Sequence, residues 1–184
     1  MSIAWNEAAG RIFLPVVTFG LTGSEWLLRL RRQGYVVDEE LERILVPQGK
    51  EERSQFGQHT GPALAREAVI VKNFSGSRTE LLELKQAQKW RFAPPEVACY
   101  LRETLSDEDL KAMGLQWLSV EMQKPFCYWY RYSEKPTFEQ NLLPCVHRNG
   151  AFTDNGQKTT GGRHLGVSYT TGSIDHTHGH LFLC

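Results

Sequence analysis

Hydrophobic positions along the chain change their spacing partway through, and that change organises everything else. Arg11 to Phe19 is apolar and β-branched and reads as a strand; Pro15 inside it predicts an edge strand or an irregular arm. Thr22-Gly-Ser-Glu25 is a capping box, in which the Thr hydroxyl closes the helix start and the Glu side chain reaches back. Trp26, Leu27 and Leu30 then form an apolar stripe, with Arg29, Arg31 and Arg32 on the remainder and Gly34 as the stop. Asp38 is placed to cap a short second helix carrying Leu41, Ile44 and Leu45, closed by Pro47. Residues 48–65 are polar and aperiodic and predict a mobile surface loop. Glu67 to Phe74 is the clearest strand. Ser77-Arg-Thr-Glu80 opens a helix bearing Leu81, Leu84 and Ala87. Pro94 and Pro95 mark another helix start, where a missing N–H costs nothing, and Val97, Leu101 and Leu105 are its buried stripe. Ser106-Asp-Glu-Asp109 caps a last short helix with Leu110 and Met113 apolar, ended by Gly114.

Beyond Gly114 the period becomes alternating. Leu115 to Met122 and Phe126 to Tyr132 read as strands. Two similar turns, Thr159-Thr-Gly-Gly162 and Thr170-Thr-Gly-Ser173, bracket Arg163 to Tyr169 and predict a meander that ends in His180 to Leu183. In that meander Ile174 to Leu183 pairs with Arg163 to Tyr169. Helices first and strands afterwards argue an α+β fold. The expected architecture is one domain over 1–184, helix-rich over 1–114 and β-rich over 115–184. Its N-terminal helices would pack on one face of a mainly antiparallel C-terminal sheet.

Composition narrows the classes. With 21 Lys+Arg against 21 Asp+Glu the formal charge is zero, so the basic excess of a general nucleic-acid binder is missing. No apolar run approaches the roughly 20 residues that span a bilayer. The first residues lack the basic and apolar segments of a secretory signal, which predicts a cytoplasmic protein. Cys99, Cys127, Cys145 and Cys184 form no Cys-x-x-Cys pair. In a reducing compartment they are expected as buried thiols.

Histidines carry the strongest chemical signal. Asp175-His176-Thr-His178-Gly-His180 places imidazoles at alternate positions of a strand, a ligand spacing for zinc or iron. His176 and His178 are the first choice of ligand. His180 would need Gly179 to bulge the strand, since the outer two of three alternate residues stand about 13 Å apart. His164 is expected to join from the neighbouring strand, with Asp175 and His147 as further sources. The competing reading is a polar strand face meeting solvent. Cys145-Val-His147 invites a thiol–imidazole pair, against a buried Cys beside an exposed His. Asn73 to Arg78 leaves a strand and opens a helix whose amides, with Arg78, suit an anion. Phe126, Tyr128, Tyr130 and Tyr132 alternate along one strand and offer an aromatic interaction surface for a protein partner or a second copy.

Thr22-Gly-Ser-Glu-Trp26 with Leu30 and Gly34, Pro95-Glu96 with Leu101-Arg-Glu103, and Leu105-Ser-Asp-Glu-Asp-Leu110 with Ala112-Met-Gly-Leu115 together resemble a family of small uncharacterised bacterial proteins. The shared pattern reads T-x-E-W, then LRE-x-LSDEDL-x-AMGL. Gly162-Arg163-His164 and Gly179-His180-Leu181-Phe182 occupy positions comparable to that family's tail. The sequence departs from it in the aromatic run after Pro125 and at His176, His178 and His180. The resemblance implies a folded domain and supplies no catalytic residues. The function expected from the sequence is therefore a non-catalytic binding or assembly protein acting through its aromatic strand. The alternative is a small metal-dependent enzyme using the C-terminal histidines.

Overall fold

A computed structural model describes residues 4–46, 56, 62–123, 125–132, 135–148, 164–169 and 177–184, with backbone alone for 126–132, 135–142, 168 and 169. Five helices and nine strands occur among them: β1 (Asn6–Ala8), β2 (Arg11–Thr18), α1 (Gly23–Arg32), β3 (Val36–Val37), α2 (Glu39–Leu45), β4 (Leu64–Lys72), α3 (Arg78–Ala87), α4 (Glu96–Thr104), α5 (Asp107–Ala112), β5 (Trp117–Val120), β6 (Phe126–Tyr132), β7 (Lys135–His147), β8 (His164–Tyr169) and β9 (His178–Leu183). The class is α+β. All three capping boxes form, at Thr22, Ser77 and Ser106, each hydroxyl accepting from the backbone N–H three residues on. Gly34 and Gly114, both at φ +78°, end α1 and α5 in the left-handed conformation that glycine enters without strain. Phe56 is buried in the core; the rest of the predicted loop, up to Gly61, lies outside the described residues.

The sheet differs from the one expected. Its order is β1-β2-β4-β9-β5-β7-β8-β3, with β6 attached to β7 off that path. It is mixed, because β5 runs parallel to β9 and β3 parallel to β8. It also takes β1, β2, β3 and β4 from the helix-rich half of the chain. The predicted hairpin between residues 163–169 and 174–183 does not form. β8 pairs with β7 and β3, whereas β9 pairs with β4 and β5. Strand β7 was not foreseen, since Pro136 and Pro144 argue against a strand there. Pro144 stands in the gap along β7 between its pairing with β5, which reaches Cys145, and its pairing with β6, which reaches Leu142, so no ladder on that side asks it for an N–H. Pro15 follows the same logic: β2 has β1 beside it only as far as Phe13.

Helices lie on both faces. Ile12, Ile70, Leu118 and Val146 point to the side covered by Trp26 and Leu30 of α1, Leu41 of α2 and Leu101 of α4. Alternate residues point the other way: Val69, Val71 and Phe182 meet Leu81 of α3 and Trp90. The expected packing of every N-terminal helix on one face is thus corrected at α3. The cause is β4, a run of four buried residues, Ala68 to Val71, which needs cover on both sides. α1 and α2 approach closely at Gly23, where a Cβ would stand 2.2 Å from the Leu45 carbonyl oxygen. Glu96, the first residue of α4, is fully buried. Its carboxylate accepts hydrogen bonds from the N–H groups of Phe19, Gly20 and Leu21 and from the Trp26 indole, at 2.8–3.3 Å. Among the described residues no helix is long and apolar enough to cross a membrane.

Candidate metal centre

Three side chains that can hold a metal converge where β3, β7 and β8 meet. β7 and β8 are antiparallel with His147 directly opposite His164. β3 runs parallel on the far side of β8, pairing Val36 with His164 and Val37 with Leu165. The Asp38 N–H then donates to the Leu165 carbonyl at 2.9 Å, which fixes the aspartate beside Gly166. Its carboxylate lies against both imidazoles: Asp38 Oδ2 is 3.3 Å from His147 Nε2, and Asp38 Oδ1 is 3.6 Å from His164 Nδ1. The donor atoms of the three residues all fall within 4.8 Å of one another.

Gly166 makes this possible. A Cβ there would stand 2.0 Å from Asp38 Oδ2 and 3.0 Å from His147 Nε2, so any other residue would displace the carboxylate. The imidazoles are buried, His147 at 1% and His164 at 6% exposure. Their rings stack at 5.1 Å, and Trp117 stacks on the other side of His147 at 4.9 Å. The buried Arg102 guanidinium holds this end of β7 from below, donating to the His147 carbonyl at 3.2 Å. Asp38 does precede α2 as the sequence predicts, yet its side chain makes no capping bond. The imidazoles have taken it.

The histidine strand is arranged differently. His178 and His180 share a face as expected, their rings parallel and 4.8 Å apart. Each engages a neighbour beside β9: His178 Nε2 meets the Ser119 hydroxyl at 2.7 Å, and His180 Nδ1 meets Glu121 Oε1 at 2.8 Å. β5 and β7 stand between them and His164, so the structure does not gather His164, His178 and His180 at one point. His176 and Asp175 lie outside the described residues. Phe126, Tyr128, Tyr130 and Tyr132 do lie on a strand, β6, with side chains outside the described set. The anion foreseen for Arg78 turns out to be internal: its guanidinium grips both oxygens of the buried Glu121.

Burial pushes the Glu121 carboxyl up, but the hydrogen bond from His180 and the charge of Arg78 outweigh it. The group titrates below its ordinary 4.5. A carboxyl lowered by folding stabilises the fold fully above its unfolded value and loses that contribution as pH falls through the lower folded value. Urea unfolding between about pH 5 and pH 3 is therefore expected to fall more steeply for wild type than for Glu121→Gln. Equal slopes would mean the carboxylate is not held as described.

Two members of the centre were partly legible. The sequence offers His164 as a ligand and His147 as a further source, but it gives Asp38 only a capping role, which by itself explains an aspartate there. No protein-family model, no curated protein and no solved structure matches the chain, so this centre is read from its geometry and donor chemistry alone.

Proposed function

We propose that the protein binds a divalent transition metal, zinc or iron, through Asp38, His147 and His164. The observation that carries this reading is the convergence of two imidazoles and one carboxylate around a glycine without which they could not meet. Two donors on one tetrahedral ion, each about 2.0–2.1 Å from it, are separated by roughly 3.3–3.4 Å. The Asp38–His147 contact is of that size. Two histidines and a carboxylate are a donor set used by zinc and non-haem iron. Equilibrium dialysis against zinc and against ferrous iron under anaerobic conditions, followed by elemental analysis, tests it. One metal per chain is expected in wild type and none in His147→Ala or His164→Ala. Absence of metal from wild type, or retention by both variants, would end the proposal.

A second reading, association through the aromatic strand, is favoured by one feature: among the described residues β6 is hydrogen-bonded only to β7. It proposes a second copy or protein partner on β6. Light scattering should then report a dimer that Tyr128→Ser with Tyr130→Ser converts to monomer; a monomeric wild type would exclude self-association.

A further inference from the structure

Three protein donors leave a tetrahedral ion one position, and what fills it separates a closed structural centre from an open catalytic one. Cys145 lies two residues before His147 on β7, so alternation puts both on the same face. It pairs directly with Gly166, the residue beside which the Asp38 carboxylate and His147 Nε2 converge. Opposed residues on one face of an antiparallel pair have Cβ positions about 4.5–5.5 Å apart. Cys145 therefore neighbours the converging donors, although its Sγ, as it is turned in the structure, is not among the atoms that fall within 4.8 Å of one another. Cys145 is fully buried on the inner side of the centre, whereas the Asp38 carboxylate is 28% exposed, so a thiolate from within and a water from outside are the two candidates for the fourth position.

We infer that Cys145 is the fourth ligand of this centre, giving a closed Asp–His–His–Cys site that selects zinc. The inference rests on the metal reading above. A thiolate donor favours zinc over harder cations such as magnesium or calcium, which prefer oxygen. In the structure the Cys145 thiol faces the Val146 carbonyl, with Sγ···O at 3.6 Å. Ligation requires a turn about its Cα–Cβ bond; the S–H proton leaves to solvent as the sulfur–metal bond forms. A closed centre pins β3, β7 and β8 together and does not activate water.

Cobalt(II), which takes zinc's place and reports its ligands by colour, tests this. A cobalt–thiolate bond gives a charge-transfer band in the near ultraviolet that nitrogen and oxygen donors do not. Wild type loaded with cobalt is expected to show the band. Cys145→Ser should keep cobalt with affinity lowered at least about tenfold and lose the band, whereas Cys184→Ser, altered at an exposed thiol, should retain it. If Cys145→Ser fails to fold, a band kept by each of Cys99→Ser, Cys127→Ser and Cys184→Ser assigns the thiolate to Cys145, and a band lost in any of them overturns the assignment. Cobalt bound without the band, or a band surviving in Cys145→Ser, overturns the thiolate ligand and leaves the three-donor centre standing. A wild type that binds neither cobalt nor zinc overturns both.

Discussion

Glu96→Ala is expected to cost about 3–5 kcal/mol of folding stability, among the largest effects available at one position. The carboxylate is fully buried and satisfies three consecutive backbone N–H groups and the Trp26 indole. Alanine would leave those four donors without an acceptor, each worth about 1–3 kcal/mol when stranded, with partial relief as the segment 19–21 shifts. The site at the first turn of α4 also suits a negative charge, because the helix dipole is positive there. Glu96→Gln keeps the volume and one acceptor oxygen, so it should cost less than alanine. Urea denaturation monitored by tryptophan fluorescence would check both. A loss under about 1 kcal/mol for alanine would show that the carboxylate is replaceable.

Zinc is expected to raise the melting temperature of wild type by roughly 5–10 °C at a hundredfold excess over its dissociation constant. Ligand binding to the folded state alone contributes about 2.7 kcal/mol under that condition. A chain of this length gains about 2–4 °C per kcal/mol. His147→Ala should lose the shift because it loses a donor. Gly166→Ala should lose it without losing any donor, since its methyl would occupy the space that the Asp38 carboxylate needs. Scanning calorimetry with and without chelator makes the comparison. The same rise in wild type and Gly166→Ala would place the metal elsewhere in the protein.

What was readable from the residues was whatever local chemistry decides. Thr22, Ser77 and Ser106 announce their helices because a capping box closes within four residues. β6 was bounded correctly because its aromatic alternation is self-contained. Strand order was not readable, because Leu118 choosing Val146 on one side and Gly179 on the other is decided by distant partners. The centre shows both cases. His164 was named on the expectation of a β9 neighbour and belongs to the site through β7 instead. Asp38 meets His147 across 109 residues, a contact that no local pattern announces.

The position of β9 bears on how the chain comes to be folded. Although last among the described strands, it lies between β4 and β5, with Ala68 facing Leu183 on one side and Ser119 facing His180 on the other. Long-range pairings of this kind impose loop-closure entropy before they return any stabilisation, and they slow folding. Among the described strands, a chain lacking β9 would leave β4 and β5 each with one side unpaired, a template for pairing with another chain. The sheet becomes continuous only when residues 178–183 slide between them.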